Sequence, residues 1–252
     1  MGMGMNAEDT DDPADAADPA DPAGTKAPAD TDAPADTEDL DPVRRNRIAE
    51  ELRRALVLHT PGSRAALRGS LASGADDAYS DIDLVWTVPD ASFESSVAGV
   101  ADALAPVAPV ESLRRDPDLA RSAGRRLFFV TFEGLPLFWR LDLDIRTRSA
   151  GDDPEYGLDD PAGRDEEGWS PAASALANAV AAVKALLRDR PDTARALLER
   201  GLRRVGAPAG VTGRWREDVL RLAAAATDHE PGTAPLARRV ARLAATACPE
   251  ER

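Results

Sequence analysis

The sequence contains few of the residues on which several common classes of active site depend. Among its 252 residues there are one cysteine, Cys248, and two histidines, His59 and His229. One cysteine excludes an intrachain disulfide and a thiolate zinc cluster, and two histidines leave little for an imidazole metal site or a Ser-His-Asp triad. Both histidines are interpreted as surface or capping residues, and acyl, glycosyl and redox chemistry finds no support.

Long apolar runs are also lacking. The most apolar stretch, residues 172–187, is rich in alanine and is interrupted by Lys184, whereas a membrane-spanning helix needs roughly 20 apolar residues. The first ten residues, MGMGMNAEDT, have neither the basic nor the apolar region of a signal peptide. These features predict a cytoplasmic protein that makes no contact with a membrane.

The acidic charge is concentrated at the start of the chain. The net charge is −14, but residues 1–41 hold 13 acidic residues and one basic residue, Lys26. The other 211 residues hold 32 acidic and 30 basic residues, a net charge of −2. A nearly neutral folded part lacks the excess positive charge that binds phosphates, so we expect no stable binding to nucleic acid.

Two acidic segments are predicted to lie outside the fold. Residues 1–41 consist mainly of Asp, Ala and Pro, and such a segment buries too little apolar surface to offset its ordering entropy, so we expect a disordered, solubilising tail. Residues 151–169 contain eight acidic residues and are predicted to be a linker. In the alternative interpretation, the tail contacts a basic partner and the linker attracts a polycationic acceptor.

The remaining sequence changes from strand-like to helical patterns near residue 165. Asp41-Pro42 is a typical helix start, and the apolar spacing continues that helix to about Leu58. We predict an α/β (α+β) fold, with a small mixed β-sheet flanked by helices at 42–150 and an all-helical domain at 170–252. The predicted strands lie at 65–71, 81–88, 107–113, 126–132 and 136–146, the last two as an antiparallel hairpin, and the helices of the second domain at 171–189, 191–205, 213–227 and 233–247.

The pattern that indicates chemistry runs from Gly69-Ser70 to the Asp-Ile-Asp-Leu segment at 81–84. Asp81 and Asp83 are two residues apart in a predicted strand, so both carboxylates project from one face. A divalent cation would remove their repulsion, and Mg²⁺ suits hard oxygen ligands combined with substrate phosphates. The glycine lets the backbone approach an anion closely, and the serine offers a hydroxyl and an N–H group.

A second carboxylate pair, Asp142 and Asp144, alternates with apolar residues on the last predicted strand. If that strand lies beside the first, three or four carboxylates converge, as two-metal nucleotidyl or phosphoryl transfer requires. One ion would hold a triphosphate and the other would activate a hydroxyl, while an aspartate of the later strand bridges the ions or acts as general base. The structural alternative is that each pair marks a solvent-facing strand edge.

The segment GSLASGADDAYSDIDL, residues 69–84, resembles the signature of the DNA polymerase β-type nucleotidyltransferase superfamily. The loop before Asp81 is similar to that of small bacterial members, which include the aminoglycoside and lincosamide nucleotidyltransferases and the minimal nucleotidyltransferases of toxin–antitoxin pairs. The resemblance follows the order of elements over 43–147 and is specific over 67–84 and 139–146. It implies a small mixed sheet flanked by helices, often followed by a helical domain.

The resemblance also implies a reaction and the residues that perform it. A nucleoside triphosphate, usually ATP, and two Mg²⁺ ions would transfer a nucleotidyl group to a hydroxyl, with release of pyrophosphate. By position, Gly69 and Ser70 resemble the triphosphate-binding turn, and Asp81 and Asp83 resemble the metal-binding pair. The third carboxylate would be Asp142, which follows an Arg-Leu pair as in lincosamide-type members, or alternatively Asp144.

Two basic residues are further candidates for binding the triphosphate. Arg68 directly precedes the Gly-Ser turn and could contact phosphate or be solvated at a strand end. Lys184, the only lysine in the predicted folded part, lies within a helix. We expect it at the surface with its aliphatic stem packed on the protein, and a contact with the triphosphate is the alternative.

The acceptor of the expected reaction is a hydroxyl of a small molecule, such as an aminoglycoside-like or lincosamide-like compound. The alternative is AMP transfer to a protein or RNA partner, as in the minimal nucleotidyltransferase antitoxins. A third hypothesis is a nucleotide-binding module without activity, although the intact carboxylates argue against it. The helices of 171–247 could also contribute to a homodimer.

Overall fold

The computed structural model describes residues 40–120, 122–150 and 169–248. The predicted disordered tail and all of the acidic linker except Trp169 lie outside these residues. Their predicted states therefore stay predictions.

The described part of the chain contains a five-stranded mixed sheet, as predicted. Its strand order is β1-β2-β5-β4-β3, and β2 pairs with β5 in parallel, whereas all other neighbours are antiparallel. The predicted hairpin is confirmed as the antiparallel pair β4 and β5. The strands are β1 Arg64–Leu67, β2 Ile82–Val88, β3 Val110–Arg115, β4 Arg125–Phe132 and β5 Leu141–Thr147.

The first helix, α1 Pro42–His59, begins where the sequence predicts. The Asp41 side chain accepts a hydrogen bond from the N–H group of Val43, and Pro42 occupies the first helical position. One face of the helix is buried, with Leu52 and Leu56 fully enclosed. Three short helices complete this half of the molecule: α2 Gly69–Ser73, α3 Phe93–Ala98 and α4 Val100–Leu104.

Four longer helices follow, as predicted, and α5 lies at their centre. It packs against each of the other three helices. Most of its residues are small or apolar and are buried in these contacts. The side chain of Ser170 caps it by accepting from the N–H group of Ala173. Its buried residues belong to the same apolar cluster as those of the sheet, so the division into two domains is retained as a proposal. The helices are α5 Pro171–Leu187, α6 Pro191–Arg204, α7 Trp215–His229 and α8 Ala234–Ala247.

Three predicted strands differ from the structure at their ends. The strand predicted over 136–146 begins at Leu141, because Leu137–Trp139 forms a short 3₁₀ helix before it. The strand predicted over 65–71 stops at Leu67, because Gly69 adopts a positive φ of 59° and begins α2. The strand predicted over 107–113 begins at Val110, because the backbone of Val107 still hydrogen-bonds to the carbonyl of Leu104 in a helical turn. Within the described ranges, none of the helices has the length and apolar character needed to cross a membrane.

Candidate active site

The parallel pairing of β2 with β5 brings the two predicted carboxylate pairs together. Asp83 lies directly opposite Asp142, and Val85 lies opposite Asp144. Asp81 immediately precedes β2, two residues before Asp83. Because neighbouring strands are about 4.8 Å apart, three carboxylates are gathered at one end of the sheet.

Asp83 is the central member of this group. It is half-buried, and its carboxylate accepts no hydrogen bond from the residues that the structure describes. Burial raises the pKa of Asp83, and the negative charges of Asp142 and Asp81 raise it further. An oxygen donor that lacks a hydrogen bond among like charges suits a divalent cation.

The other two carboxylates form ion pairs with basic side chains. Lys184 donates to Asp81 and also to the carbonyl of Phe138, the latter at 3.0 Å. Arg140 holds Asp142 through two hydrogen bonds, Nε to Oδ1 at 2.6 Å and Nη2 to Oδ2 at 2.8 Å. The same guanidinium lies 4.0 Å from Asp81 Oδ2. The carboxylates therefore face two protein cations.

Among the described residues, the carboxylates do not form a ready-made metal site. Across 40–120, 122–150 and 169–248, no group of three or more His, Cys, Asp and Glu side chains is arranged to hold a metal ion. The backbone register nevertheless places Asp81, Asp83 and Asp142 together, and their oxygen donors suit Mg²⁺.

Lys184 differs from the sequence-based expectation. It is 6 % exposed, so it is not a surface lysine. Burial lowers its pKa, although the adjacent Asp81 carboxylate acts in the opposite direction. Its helix, α5, packs against the segment Leu137–Trp139 that precedes β5, and this contact brings the ammonium group to Asp81.

Asp144 occupies a different environment from Asp142. It is 3 % exposed and accepts hydrogen bonds from three arginines. Arg125 donates from Nε to Oδ1 and from Nη2 to Oδ2, both at 3.0 Å, and Arg146 donates from Nη2 to Oδ2 at 2.6 Å. Arg68, which was predicted to contact phosphate or solvent, donates from Nη1 at 2.8 Å. Asp144 is therefore enclosed by basic side chains, whereas Asp142 lies opposite Asp83, and Asp142 as the third carboxylate stays a prediction.

Gly69 and Ser70 lie next to the carboxylates, at the end of β1. The N–H group of Arg68 donates to the backbone carbonyl of Asp83 at 2.9 Å, which draws the turn onto β2. A Cβ atom at Gly69 would overlap Asp83 Oδ2 and would lie 3.0 Å from its Cγ. Only glycine fits here, because φ is positive and the carboxylate occupies the side-chain space.

We expect Gly69→Ala to lower stability and any Mg²⁺-dependent activity of this site. A left-handed φ costs a non-glycine residue about 1–2 kcal/mol, and the new methyl group must also displace the Asp83 carboxylate. Gly74→Ala is the matched control, because Gly74 also has a positive φ but has open space around its Cβ position. Thermal unfolding and activity would be compared, and equal losses in both variants would contradict the role of the contact.

Similarity to known proteins is confined to solved structures. No protein-family model and no curated protein matches the sequence. Among the structures that match is Cid1, whose description names an RNA terminal uridylyl transferase activity; it shows 16% identity and a TM-score of 0.30 over 66% of this chain and 41% of that chain. A cytoplasmic RNA terminal U-transferase gives 16% identity and a TM-score of 0.30 over 72% and 47%. The chain spans less than half the length of either protein.

Sequence reasoning missed the arginines that order the site. Arg45 of α1 is fully buried and bonds to Asp76 and to the carbonyl of Asp77, in the loop that leads to Asp81. Arg188, just after α5, donates two hydrogen bonds to the Asp77 carboxylate at 2.8 Å and holds its pKa below the usual range. These contacts join distant parts of the chain, and no local pattern marks them. Arg140 could have been found, because it precedes Asp142 by two residues and shares its strand face.

Both histidines lie where the sequence predicts. His59 and His229 are exposed residues in the last turns of α1 and α7, respectively. His59 contacts the indole ring of Trp86 edge-on, at 6.3 Å between ring centres. Neither histidine is among the residues that surround the carboxylates.

Proposed function

We propose that the protein is a Mg²⁺-dependent nucleotidyltransferase that moves a nucleoside monophosphate from a nucleoside triphosphate, with ATP the expected donor, to a hydroxyl group of a small molecule. The observation that carries the proposal is the Asp83 carboxylate. It lacks a hydrogen bond in the described part of the chain, lies opposite Asp142 and follows Asp81 by two residues. A Gly-Ser turn that suits phosphate lies against it.

Asp81 and Asp83 would hold Mg²⁺, with Asp142 as the third carboxylate. The metal, when bound, would neutralise charge on the phosphates and lower the pKa of the attacking hydroxyl. Asp142 either completes the metal site or accepts the hydroxyl proton. In the reaction, the acceptor oxygen bonds to the α-phosphorus, the bond from that phosphorus to the bridging oxygen breaks, and pyrophosphate leaves.

The basic side chains and the Gly-Ser turn would bind the triphosphate. Gly69 leaves the space beside Asp83 free of a side chain, and Ser70 offers its hydroxyl. Lys184 donates to Asp81 in the absence of metal, and with Asp81 bound to a metal ion its ammonium group would be available to a phosphate oxygen. Arg68 is half-exposed beside the turn and can extend from Asp144 toward the same phosphates.

The experiment uses ATP, GTP, CTP and UTP carrying a label on the α-phosphate, with MgCl₂. One set of acceptors contains hydroxylated small molecules, including aminoglycosides and lincosamides, and another contains total cell protein and RNA. We expect label on a small molecule with wild type and with Asp102→Asn, an exposed control in α4, but none with Asp81→Asn. Label only on protein or RNA would replace the small-molecule acceptor with a macromolecule. No transfer and no Mg²⁺-dependent nucleotide binding would contradict the proposal.

A further inference from the structure

A cleft of about 550 Å³ lies beside the carboxylates, between the β3–β4 side of the sheet and the helices α5 and α6. A volume of this size is typical of a site for a small molecule. Its polar and aromatic lining includes Arg114, Phe129, Arg140, Trp169, Arg200 and Arg204.

The cleft is continuous with the candidate active site. A smaller pocket is lined by Asp81 and Lys184, and it shares Arg114, Phe129 and Arg140 with the cleft. The strand register explains this continuity, because Asp83, Asp142, Phe129 and Arg114 are successive partners across β2, β5, β4 and β3. A molecule in the cleft would therefore lie within a few strand spacings of the metal-binding carboxylates.

The lining carries more positive than negative charge. It contains four arginines against two carboxylates, those of Asp116 and Asp118. Arg140 is balanced by its pair with Asp142. Arg114 is 8 % exposed, yet its guanidinium makes no hydrogen bond or ion pair with a described residue. The carboxylates of Asp142 and Asp116 act on it electrostatically without a direct ion pair. A buried cation that lacks a hydrogen-bonded anion is costly, so this side chain suits an anionic ligand.

Aromatic rings hold these arginines in a row. The guanidinium carbon of Arg114 lies 4.3 Å from the ring centre of Phe129 and 5.6 Å from that of Trp169. Arg140 contacts the same phenylalanine, and Arg204 the same tryptophan, at 5.1 and 5.7 Å. Stacking fixes the plane of a guanidinium while its N–H edge stays available, and that edge matches the oxygens of a phosphate.

Neighbouring cations disfavour the charged form of Arg114. Burial lowers the pKa of Arg114 to about 10, and the positive charges of Arg140 and Arg204 contribute to the shift. Arg200, exposed on α6 at the edge of the cleft, also forms no ion pair with a described residue. A polycationic molecule would be repelled here, whereas an anion would relieve the repulsion.

We propose that the cleft is the acceptor site and that it takes a small hydroxylated molecule bearing a phosphate group, whose phosphate is held by Arg114 and Arg200. This inference rests on the proposed function, because it names the substrate class of the same site. The phosphate end of the acceptor would lie on the arginine row, and a hydroxyl would extend toward Asp142 and Asp83.

The test compares three molecules that share one sugar ring: glucose 6-phosphate, glucose and glucosamine. Binding to the full chain would be measured by calorimetry without nucleotide or metal, so the readout does not depend on transfer. We expect binding of glucose 6-phosphate alone, because it alone carries a negative charge. Charge-assisted hydrogen bonds contribute about 1.5–3 kcal/mol, so Arg114→Gln should weaken binding about 10- to 100-fold.

Three variants locate the binding. Arg242→Gln, an exposed change on α8 away from the cleft, should leave binding unchanged. Arg200→Gln removes an exposed side chain, so the protein is expected to fold even if Arg114→Gln does not, and it should weaken binding several-fold. The Asp81→Asn variant should still bind glucose 6-phosphate but should no longer transfer a nucleotidyl group to it.

Several outcomes would overturn the anion site. They are absence of glucose 6-phosphate binding at millimolar concentration, preference for glucosamine, and equal binding by wild type and both cleft variants. In contrast, arginine-dependent binding without transfer to any acceptor would contradict the proposed reaction and not the phosphate-binding cleft. Transfer to an aminoglycoside with no effect of Arg114→Gln would support the reaction and reject the cleft as a phosphate-binding acceptor site.

Discussion

Asp83→Asn should abolish the proposed nucleotidyl transfer and at the same time make the metal-free protein more stable at neutral pH. A metal ion contributes several kcal/mol to transition-state stabilisation in reactions of this type, so removal of a central ligand should lower the rate about 1000-fold or more. Asparagine is close to aspartate in shape and size, so the variant is expected to fold. The environment of Asp83 already disfavours the charged form of its carboxyl group.

Asp83→Asn should raise the stability of the metal-free protein although it lowers activity, because Asp83 lies among like charges. Its pKa is raised by burial and by the neighbouring carboxylates, so an ionised Asp83 destabilises the fold at pH 7, and a neutral asparagine does not. The difference should shrink as the pH falls toward about 4, since the wild-type carboxyl is then protonated as well.

Thermal unfolding with and without MgCl₂ and a non-hydrolysable ATP analogue checks both halves of this prediction. Wild type should gain stability from the metal and nucleotide together, and Asp83→Asn should gain much less. Asp102→Asn serves as the matched control, because it removes an exposed carboxylate that makes no contact with the site. A variant that is fully active, or equally stabilised by Mg²⁺ and the analogue, would rule out Asp83 as a metal ligand.

Asp144→Asn should lower the free energy of unfolding, whereas Asp83→Asn should not. Two of its partners, Arg125 and Arg146, are largely enclosed, and both donate to its carboxylate. Loss of one partner from a buried ion pair typically costs about 3–5 kcal/mol, because the buried charge loses a directly bonded counter-charge. We expect a loss of that size in the free energy of unfolding, measured by chemical denaturation.

Arg68→Gln is the control that distinguishes the loss of a buried ion pair from the loss of an exposed one. Arg68 donates to the same Asp144 oxygen, but its side chain is 49% exposed, and an exposed ion pair contributes about 0–1 kcal/mol. If Asp144→Asn costs no more than Arg68→Gln, the buried cluster is not a major source of stability. If Asp144→Asn is stable but inactive, Asp144 belongs to the catalytic group after all.

Much of the fold follows from local patterns that the sequence displays. The start of α1 rests on an Asp-Pro cap, the hairpin of β4 and β5 on alternating apolar residues, and α5 on a Ser-Pro start followed by small residues. Such signals involve residues close in the chain, so they survive without tertiary information. The end of β1 was misplaced because the alternation alone does not reveal that Gly69 turns the backbone to a positive φ.

The candidate site was predicted in part for the same reason. The spacing of Asp81 and Asp83 and the adjacent Gly-Ser turn are local, and their proximity to Asp142 required only that two predicted strands pair. The ion pairs of Asp81 and Asp142 were not predictable to the same degree. Lys184 approaches Asp81 across 103 positions of sequence, and such an approach depends on how α5 packs against the sheet.

The sequence by itself determined the types of element, the carboxylate pairs and the glycine that lies against them, because each depends on residue type and short spacing. Only the tertiary structure decided which aspartates have different environments. Asp142 and Asp144 look equivalent in a strand pattern, yet one faces the candidate metal site and the other is enclosed by three arginines. The arginine-lined cleft likewise exists only after folding, because strand register and helix packing bring its charges together from distant parts of the chain.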